Sequence, residues 1–152
     1  MNSPLTPTSG LMQGRVHVLP IRVYYEDTDA AGIVYYANYL KYAERGRTEM
    51  LRTLGVEQQK LRDETGMQFV MREGEVKYRR PARLDDALTV ETSLTELGAA
   101  SVRMSQIIRR SDAEELARFT AHVACTGGDG KPVRLPATLR DALADYVNTE
   151  TK

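Results

Sequence analysis

The chain has 152 residues, enough for one domain whose core needs no disulfide or metal to hold it together. Hydrophobic residues make up 41% and charged residues 28%, the balance of a folded globular protein rather than of a disordered or membrane chain. Lysine plus arginine and aspartate plus glutamate each total 21, so no global field gathers nucleic acid or an anionic membrane, and neither is expected as a partner.

Cys125 is the only cysteine, which excludes an intramolecular disulfide and a thiolate zinc cluster and suits a reducing compartment. The opening MNSPLTPTSGLMQG lacks the basic start and apolar run of a secretion signal, and no later stretch is long enough to span a bilayer. A cytoplasmic protein with no transmembrane segment is expected.

Residues 1–14, rich in Pro, Ser, Thr and Gly, read as a flexible tail, and residues 15–148 as a single domain. Val16 to Tyr25 is rich in β-branched and aromatic residues and predicts a strand, with Pro20 at an edge or bulge. After the turn-rich EDTDAAG, the spacing of Leu40, Ala43, Arg47, Met50, Leu51 and Leu54 predicts a long helix from about Asn38 to Leu54. Asn38 is its expected N-cap and Gly55 its stop, while Gly46 inside it permits close packing at a small cost in helix stability.

Residues 56–66 carry no clear pattern. Strands are expected at about 68–80, 86–96, 100–110 and 114–126. Leu88, Val90, Thr92 and Leu94 share one face of their strand, and Ala117, Phe119, Ala121, Val123 and Cys125 share one face of theirs. The links at 96–99 and 111–113 are too short for a crossover helix, so neighbouring strands run antiparallel. Pro136 and the residues after it predict a last short helix. The class is α+β, one long early helix against an antiparallel sheet.

The chemistry is not centred on histidine, because His17 and His122 both fall on strands without the spacing of zinc ligands, and no metal is expected. Cys125 lies on an apolar strand face, which is packing, and no serine sits in a G-x-S-x-G elbow. Carboxylates remain. The segment YYEDTDAAGIVYYANY, residues 24–39, gathers three acidic side chains before a glycine and a tyrosine cluster. From residue types alone, function and a capping loop are about equally good explanations of it.

Read as R-V-x-x-x-x-T-D-x-x-G-I-V-Y-Y-x-x-Y, Arg22 to Tyr39 resembles the active-site motif of the 4-hydroxybenzoyl-CoA thioesterase family. The longer RVYYEDTDAAGIVYYANYLKYAERGRTEMLR and the later KYRRPARLDDALTVET are especially similar to the acyl-CoA thioesterases associated with the Tol-Pal system. The resemblance implies a hot-dog fold, an antiparallel β-sheet wrapped around one long central α-helix. It also implies a homodimer or homotetramer with acyl-CoA bound at the subunit interface, and no cofactor beyond the CoA of the substrate.

The family's catalytic aspartate falls on Asp29, with Gly32 allowing close backbone approach at the turn; Asp27 is second choice, better explained as a turn or capping carboxylate. Val34, Tyr36, Asn38 and Tyr39 are the expected supporting or substrate-binding residues, with main-chain N–H groups from Val34 to Asn38 as donors to the thioester oxygen. Tyr35 and Met71 are expected near the acyl group. Lys77, Arg79, Arg80 and Lys131 are the candidates for CoA phosphates on charge alone, although Lys77, Arg79 and Arg80 read more simply as a solvated strand face.

Many Tol-Pal-associated members carry histidine where this chain has Tyr36, and a phenol, with a reference pKa of about 10, is a poor base near neutrality. A thioester needs little acid catalysis, because the departing thiolate has a pKa of roughly 8.5. One carboxylate therefore suffices, either activating water or attacking the carbonyl itself. Two other readings stand beside the hydrolase: a hot-dog hydratase or dehydratase, and a scaffold binding acyl carrier protein or lipid-synthesis enzymes.

Overall fold

The computed structural model describes residues 3–111 and 113–149. In chain order the elements are β1 (Leu11–Gln13), β2 (Val16–Arg22), a 3-10 turn (Tyr25–Asp27), α1 (Asn38–Thr53), α2 (Gln58–Thr65), β3 (Gln68–Tyr78), β4 (Ala87–Leu97), β5 (Ser101–Arg110), β6 (Glu115–Thr126) and α3 (Ala137–Ala144). The strands form one six-stranded sheet in the order β1-β2-β4-β5-β6-β3, with every neighbouring pair antiparallel. α1 packs on the sheet against β2 and β4, and this is the expected hot-dog arrangement.

Two expectations shift at the start of the chain. Leu11–Gln13, expected in the tail, pair with Val16–Val18, and the Ser9 carbonyl and hydroxyl bond His17 and Glu49; residues 1 and 2 lie outside the described residues. β2 stops at Arg22, three residues short of expectation, because Tyr25–Asp27 turn into a 3-10 helix. Pro20 pairs only with Thr89 of β4, since β1 ends its pairing at Val18, so its missing N–H sits on an open edge.

α1 buries Tyr39, Tyr42, Ala43, Gly46, Met50 and Leu51. The buried stripe is rotated from the one predicted: Leu40 is 52% exposed, while Tyr39 and Tyr42 turn inward. Gly46 sits where the helix touches the sheet, and a Cβ there would stand 2.6 Å from Val90 Cγ1 and 3.0 Å from both Thr92 Oγ1 and Gln106 Nε2. That approach lets the buried Gln106 amide donate to the Ala43 carbonyl at 2.8 Å and to Thr92 Oγ1 at 3.0 Å. The buried Gln106 amide and Thr92 hydroxyl are thereby satisfied.

Gly55 follows the last helical turn with φ +89, a left-handed stop. Asn38, by contrast, is the first residue of α1 rather than its cap; Ala37 holds the N-cap position without a side-chain bond. The undefined stretch 56–66 contains α2, closed by Gly66 at φ 73. α2 has no buried residue, so it lacks the apolar stripe that would have revealed it.

β4 and β6 alternate as predicted, with Leu88, Val90 and Leu94, and Ala117, Phe119, Ala121, Val123 and Cys125, facing the core. β3 is an edge strand of 11 residues, mostly exposed, with neighbours on one side only.

Candidate active site

The residues from Tyr24 to Asn38 fold into a compact turn that delivers α1. Thr28 and Val34 form an antiparallel bridge, and Ile33 bridges Arg83. Between them the chain reverses: Gly32 N–H donates to the Asp29 carbonyl at 3.0 Å and Asp29 N–H to the Ile33 carbonyl at 2.9 Å. Gly32 has φ +79 with nothing within 4 Å of a built Cβ. Positive φ, not the expected close backbone approach, is what calls for glycine there.

Asp29 stands at the exposed head of this turn. Its Oδ1 accepts the Ala31 N–H at 2.8 Å, an Asx turn that fixes the carboxylate. No partner for Oδ2 exists among the described residues.

Asp27 does the bracing. It is 8% exposed, its Oδ2 accepts the Tyr24 N–H at 2.8 Å, and its carbonyl accepts both Tyr35 N–H at 2.9 Å and Asn38 Nδ2 at 2.8 Å. The Asn38 side chain thus ties the helix start to the turn. Tyr42 is buried beneath; burial first, then the Asp27 carboxylate, raises its pKa.

The expected N–H donors thin out on inspection. Val34 N–H is committed to the Ala82 carbonyl at 2.8 Å, Tyr35 N–H to Asp27 and Asn38 N–H to Tyr35. The N–H groups of Tyr36 and Ala37 have no acceptor among the described residues, and they open the N-terminus of the 16-residue α1. Two unbonded donors at the positive end of a helix dipole form a site for an oxyanion.

Beside them, Val34, Tyr36, Tyr39, Arg79 and Arg80 line a cleft of about 210 Å³ together with Tyr78. Tyr78, which sequence reasoning did not single out, closes it. Its hydroxyl donates to the Tyr36 carbonyl at 3.1 Å, and its ring meets Tyr36 edge-on at 6.0 Å and Tyr39 at 5.5 Å. The period-two pattern of β3 places Tyr78 with Val76, on the face opposite Lys77, but nothing in the sequence ties that face to Tyr36. Tyr39 Oη accepts the Ala82 N–H at 2.9 Å, pinning the strap that also holds Val34. Burial raises the Tyr39 and Tyr78 phenols, and the Tyr36 phenol beside it raises that of Tyr35, so these three are neutral near pH 7.

Not every expected residue reaches the cleft. Lys77 projects from the opposite face of β3, level with Arg118 of β6. Arg79 Nε is ion-paired to Glu115 at 2.5 Å and Arg80 Nε to Glu114 at 3.0 Å. Arg118, then Arg79, hold Glu115 down to about 2. A phosphate at Arg79 or Arg80 would have to compete with these carboxylates. Met71 lines a different cavity, beside the middle of α1.

His17 is fully buried at the other end of the sheet, and His122 of β6 stands opposite Arg103 of β5 and Glu73 of β3. Cys125 is buried, and burial pushes its thiol up to about 11. Among the described residues, no three His, Cys, Asp or Glu side chains are gathered as a metal site requires.

Comparison with known proteins places the chain in a family. Residues 23–143 match the family model of the thioesterase-like superfamily. The acyl-CoA thioesterase YbgC of Haemophilus influenzae is 44% identical over 125 residues, 82% of this chain and 91% of that protein. The acyl-CoA thioester hydrolase YbgC of Escherichia coli O6:H1 is 42% identical over 121 residues, 79% of this chain and 90% of that protein. The crystal structure of a probable thioesterase from Bartonella henselae superposes with a TM-score of 0.76 at 37% identity, covering 80% of this chain and 99% of that one. The chain belongs to the thioesterase-like superfamily.

Proposed function

We propose that this chain is an acyl-CoA thioester hydrolase in which Asp29 is the reacting carboxylate and the Tyr36 and Ala37 N–H groups receive the carbonyl oxygen. One observation carries the reading: a fixed, exposed carboxylate is joined by the Thr28–Val34 bridge to two unbonded N–H groups at a helix start. Its relatives named as acyl-CoA thioesterases support the substrate class.

In the water route, Asp29 takes a proton as water oxygen bonds to the acyl carbon; the C–S bond then breaks, and the thiolate leaves as CoA. In the nucleophilic route, the carboxylate itself bonds to the carbon, the C–S bond breaks to release the CoA thiolate, and water opens the resulting anhydride to give the acid and free Asp29. Both place negative charge on the carbonyl oxygen, where the two N–H groups act. Tyr36 contributes a phenol at the mouth of the cleft, suited to hydrogen bonding rather than proton abstraction.

The unpaired edge of β3 supports assembly as a homodimer or homotetramer, since antiparallel pairing with a second copy satisfies its free N–H and C=O groups. Arg79 and Arg80 are the nearest cations to the cleft for CoA phosphates. A cytoplasmic location fits the buried free thiol of Cys125, and among the described residues no helix is long and apolar enough to cross a membrane. Acyl carrier protein as the thiol carrier, and a link to the Tol-Pal system, extend the same reading.

The test is thiol release from aromatic, short-chain and long-chain acyl-CoA thioesters by the purified protein and by Asp29→Asn. A loss of about a hundredfold or more in the variant is expected. Full activity in a folded Asp29→Asn protein would overturn the assignment.

A further inference from the structure

A second cavity, of about 270 Å³, opens beside the middle of α1 and is lined by Leu51, Phe69, Met104 and Val123 with Glu44 and Arg47. Its sheet side is apolar, with Phe69, Met104 and Val123, while the helical side adds Glu44, Arg47, Thr48 and Gln58 to Leu51. The Arg47 guanidinium is half-buried and makes one hydrogen bond among the described residues, from Nη1 to Gln106 Oε1 at 3.0 Å. Gln106 is itself immobilised, because its Nε2 donates to the Ala43 carbonyl and to Thr92; its oxygen is left to face Arg47. The chain of cause begins at Gly46, whose missing Cβ admits the sheet to that depth.

Arg47 forms no ion pair among the described residues, even though Glu44 stands one turn away on the same helix. The side chain turns inward to Gln106 instead. A desolvated cation with most of its donors unused is costly unless an anion meets it. Burial lowers its pKa, against the pull of Glu44.

We propose that this cavity binds a carboxylate carrying a short apolar chain, the carboxylate on Arg47 and the chain against Leu51, Phe69, Met104 and Val123. The planar fork of arginine matches a carboxylate, and the apolar walls favour an aliphatic acid over inorganic phosphate. Glu44 beside Arg47 disfavours a second negative charge on the ligand.

Two sources supply such a carboxylate. One is a free short-chain acid, the product class of the hydrolase. The other is the far end of a dicarboxylic acyl thioester whose reacting carbonyl lies at Asp29, and this alternative rests on the function proposed above. Arg47 is ten residues beyond Ala37 on α1, roughly 15 Å along the helix axis. From Tyr36, just before α1, exposed side chains recur every four residues at Leu40 and Glu44 towards Arg47.

The full-length protein is titrated with sodium hexanoate and, separately, hexan-1-ol, by calorimetry and by the NMR shift of the Arg47 Nε–H. Hexanoate is expected to bind about tenfold or more tightly than the alcohol and to move that resonance. Arg47→Met should erase the preference and Asp29→Asn should keep it. Equal affinities, no binding of either compound, or a preference retained in Arg47→Met overturns the proposal. Should Arg47→Met fail to fold, the acid-to-alcohol ratio and the Nε–H shift of the unsubstituted protein decide. In a second arm, kcat/KM is compared for adipoyl-CoA and hexanoyl-CoA. A ratio that falls in Arg47→Met identifies the substrate's far-end carboxylate; an unchanged ratio with hexanoate binding intact identifies the free acid. Absence of turnover on every thioester counts against the hydrolase, and the titration still decides this site.

Discussion

The Tyr78 hydroxyl, at the end of β3, donates a 3.1 Å hydrogen bond to the main-chain carbonyl of Tyr36, at the entrance to α1. That carbonyl belongs to the same rigid peptide unit as the Ala37 N–H, one of the two unbonded donors of the site. Fixing one end of the plane aims the other, and a bond accepted by the carbonyl also polarises the N–H. A residue 42 positions away thereby orients the proposed oxyanion donor.

Tyr78→Phe keeps the ring contacts with Tyr36 and Tyr39 and removes only this bond. The expected outcome is a kcat lower by about tenfold with KM little changed, since the donor acts on charge that develops in the transition state. Unfolding free energy should fall by only about 1 kcal/mol, because the lost bond is partly exposed. Steady-state kinetics with a thermal melt on the same sample separates the two effects; an unaltered kcat removes Tyr78 from the site.

Asn38→Ala should behave differently. It breaks the 2.8 Å bond to the Asp27 carbonyl, which is the clasp between turn and helix. Tyr35 N–H still reaches that carbonyl at 2.9 Å, so the fold survives with a loss of about 1 kcal/mol. The Asp29 turn, however, should loosen relative to α1, and kcat should drop along with faster amide exchange across residues 29–34. Protection of those amides equal to that of the unsubstituted protein would show the clasp to be redundant.

Much of this was legible in the sequence, and where reading stopped has physical causes. Strand alternation in β4 and β6 and the tight links between strands carry the sheet, because period two and loop length are local quantities. The helical face was misjudged by one position, since Leu40 looks like core and Tyr39 like a margin. Only the tertiary partner, Ala82 N–H on Tyr39 Oη, accounts for the buried tyrosine. Asn38 read as an N-cap from its residue type, yet its amide had a better acceptor across the turn. Tyr78 and the Arg47 cavity were invisible because they depend on which strand end and which helical turn meet in space. α2 left no trace, as a helix with no buried residue has no periodicity to read.

Gly46→Ala tests the closeness of α1 to the sheet. A methyl group would stand 2.6 Å from Val90 Cγ1 and 3.0 Å from Gln106 Nε2, and both neighbours are fully buried in a packed core. The gain in helix propensity, up to about 1 kcal/mol, is outweighed by overpacking of about 1–3 kcal/mol. Net destabilisation in a denaturant titration is therefore expected, together with displacement of the Gln106 side-chain NH2 resonances. A more stable Gly46→Ala protein would mean that the helix can lift without cost.

His17 gives the stability a defined pH dependence. It is fully buried, its Nε2 lies 2.6 Å from the Ser9 carbonyl and 3.2 Å from Thr53 Oγ1, and its Nδ1 has no partner among the described residues. Nε2 therefore donates to Ser9 in the neutral ring, and a proton added at Nδ1 would find no acceptor. Burial accordingly lowers its pKa from the ordinary 6.5, against the opposing effects of the Ser9 bond and Glu49. With the folded value depressed, the unfolded chain binds the proton more readily, so the contribution is complete above pH 6.5 and is lost as pH falls through the lower folded value. Glu115 has the same sign, but its depression to about 2 moves its loss into much more acid solution. Between pH 7.5 and 5 the melting temperature should thus fall with a slope that His17→Gln makes shallower, and amides of residues 9–13 should lose protection over the same range. Identical slopes in the two proteins would show that protonated His17 is accommodated within the fold.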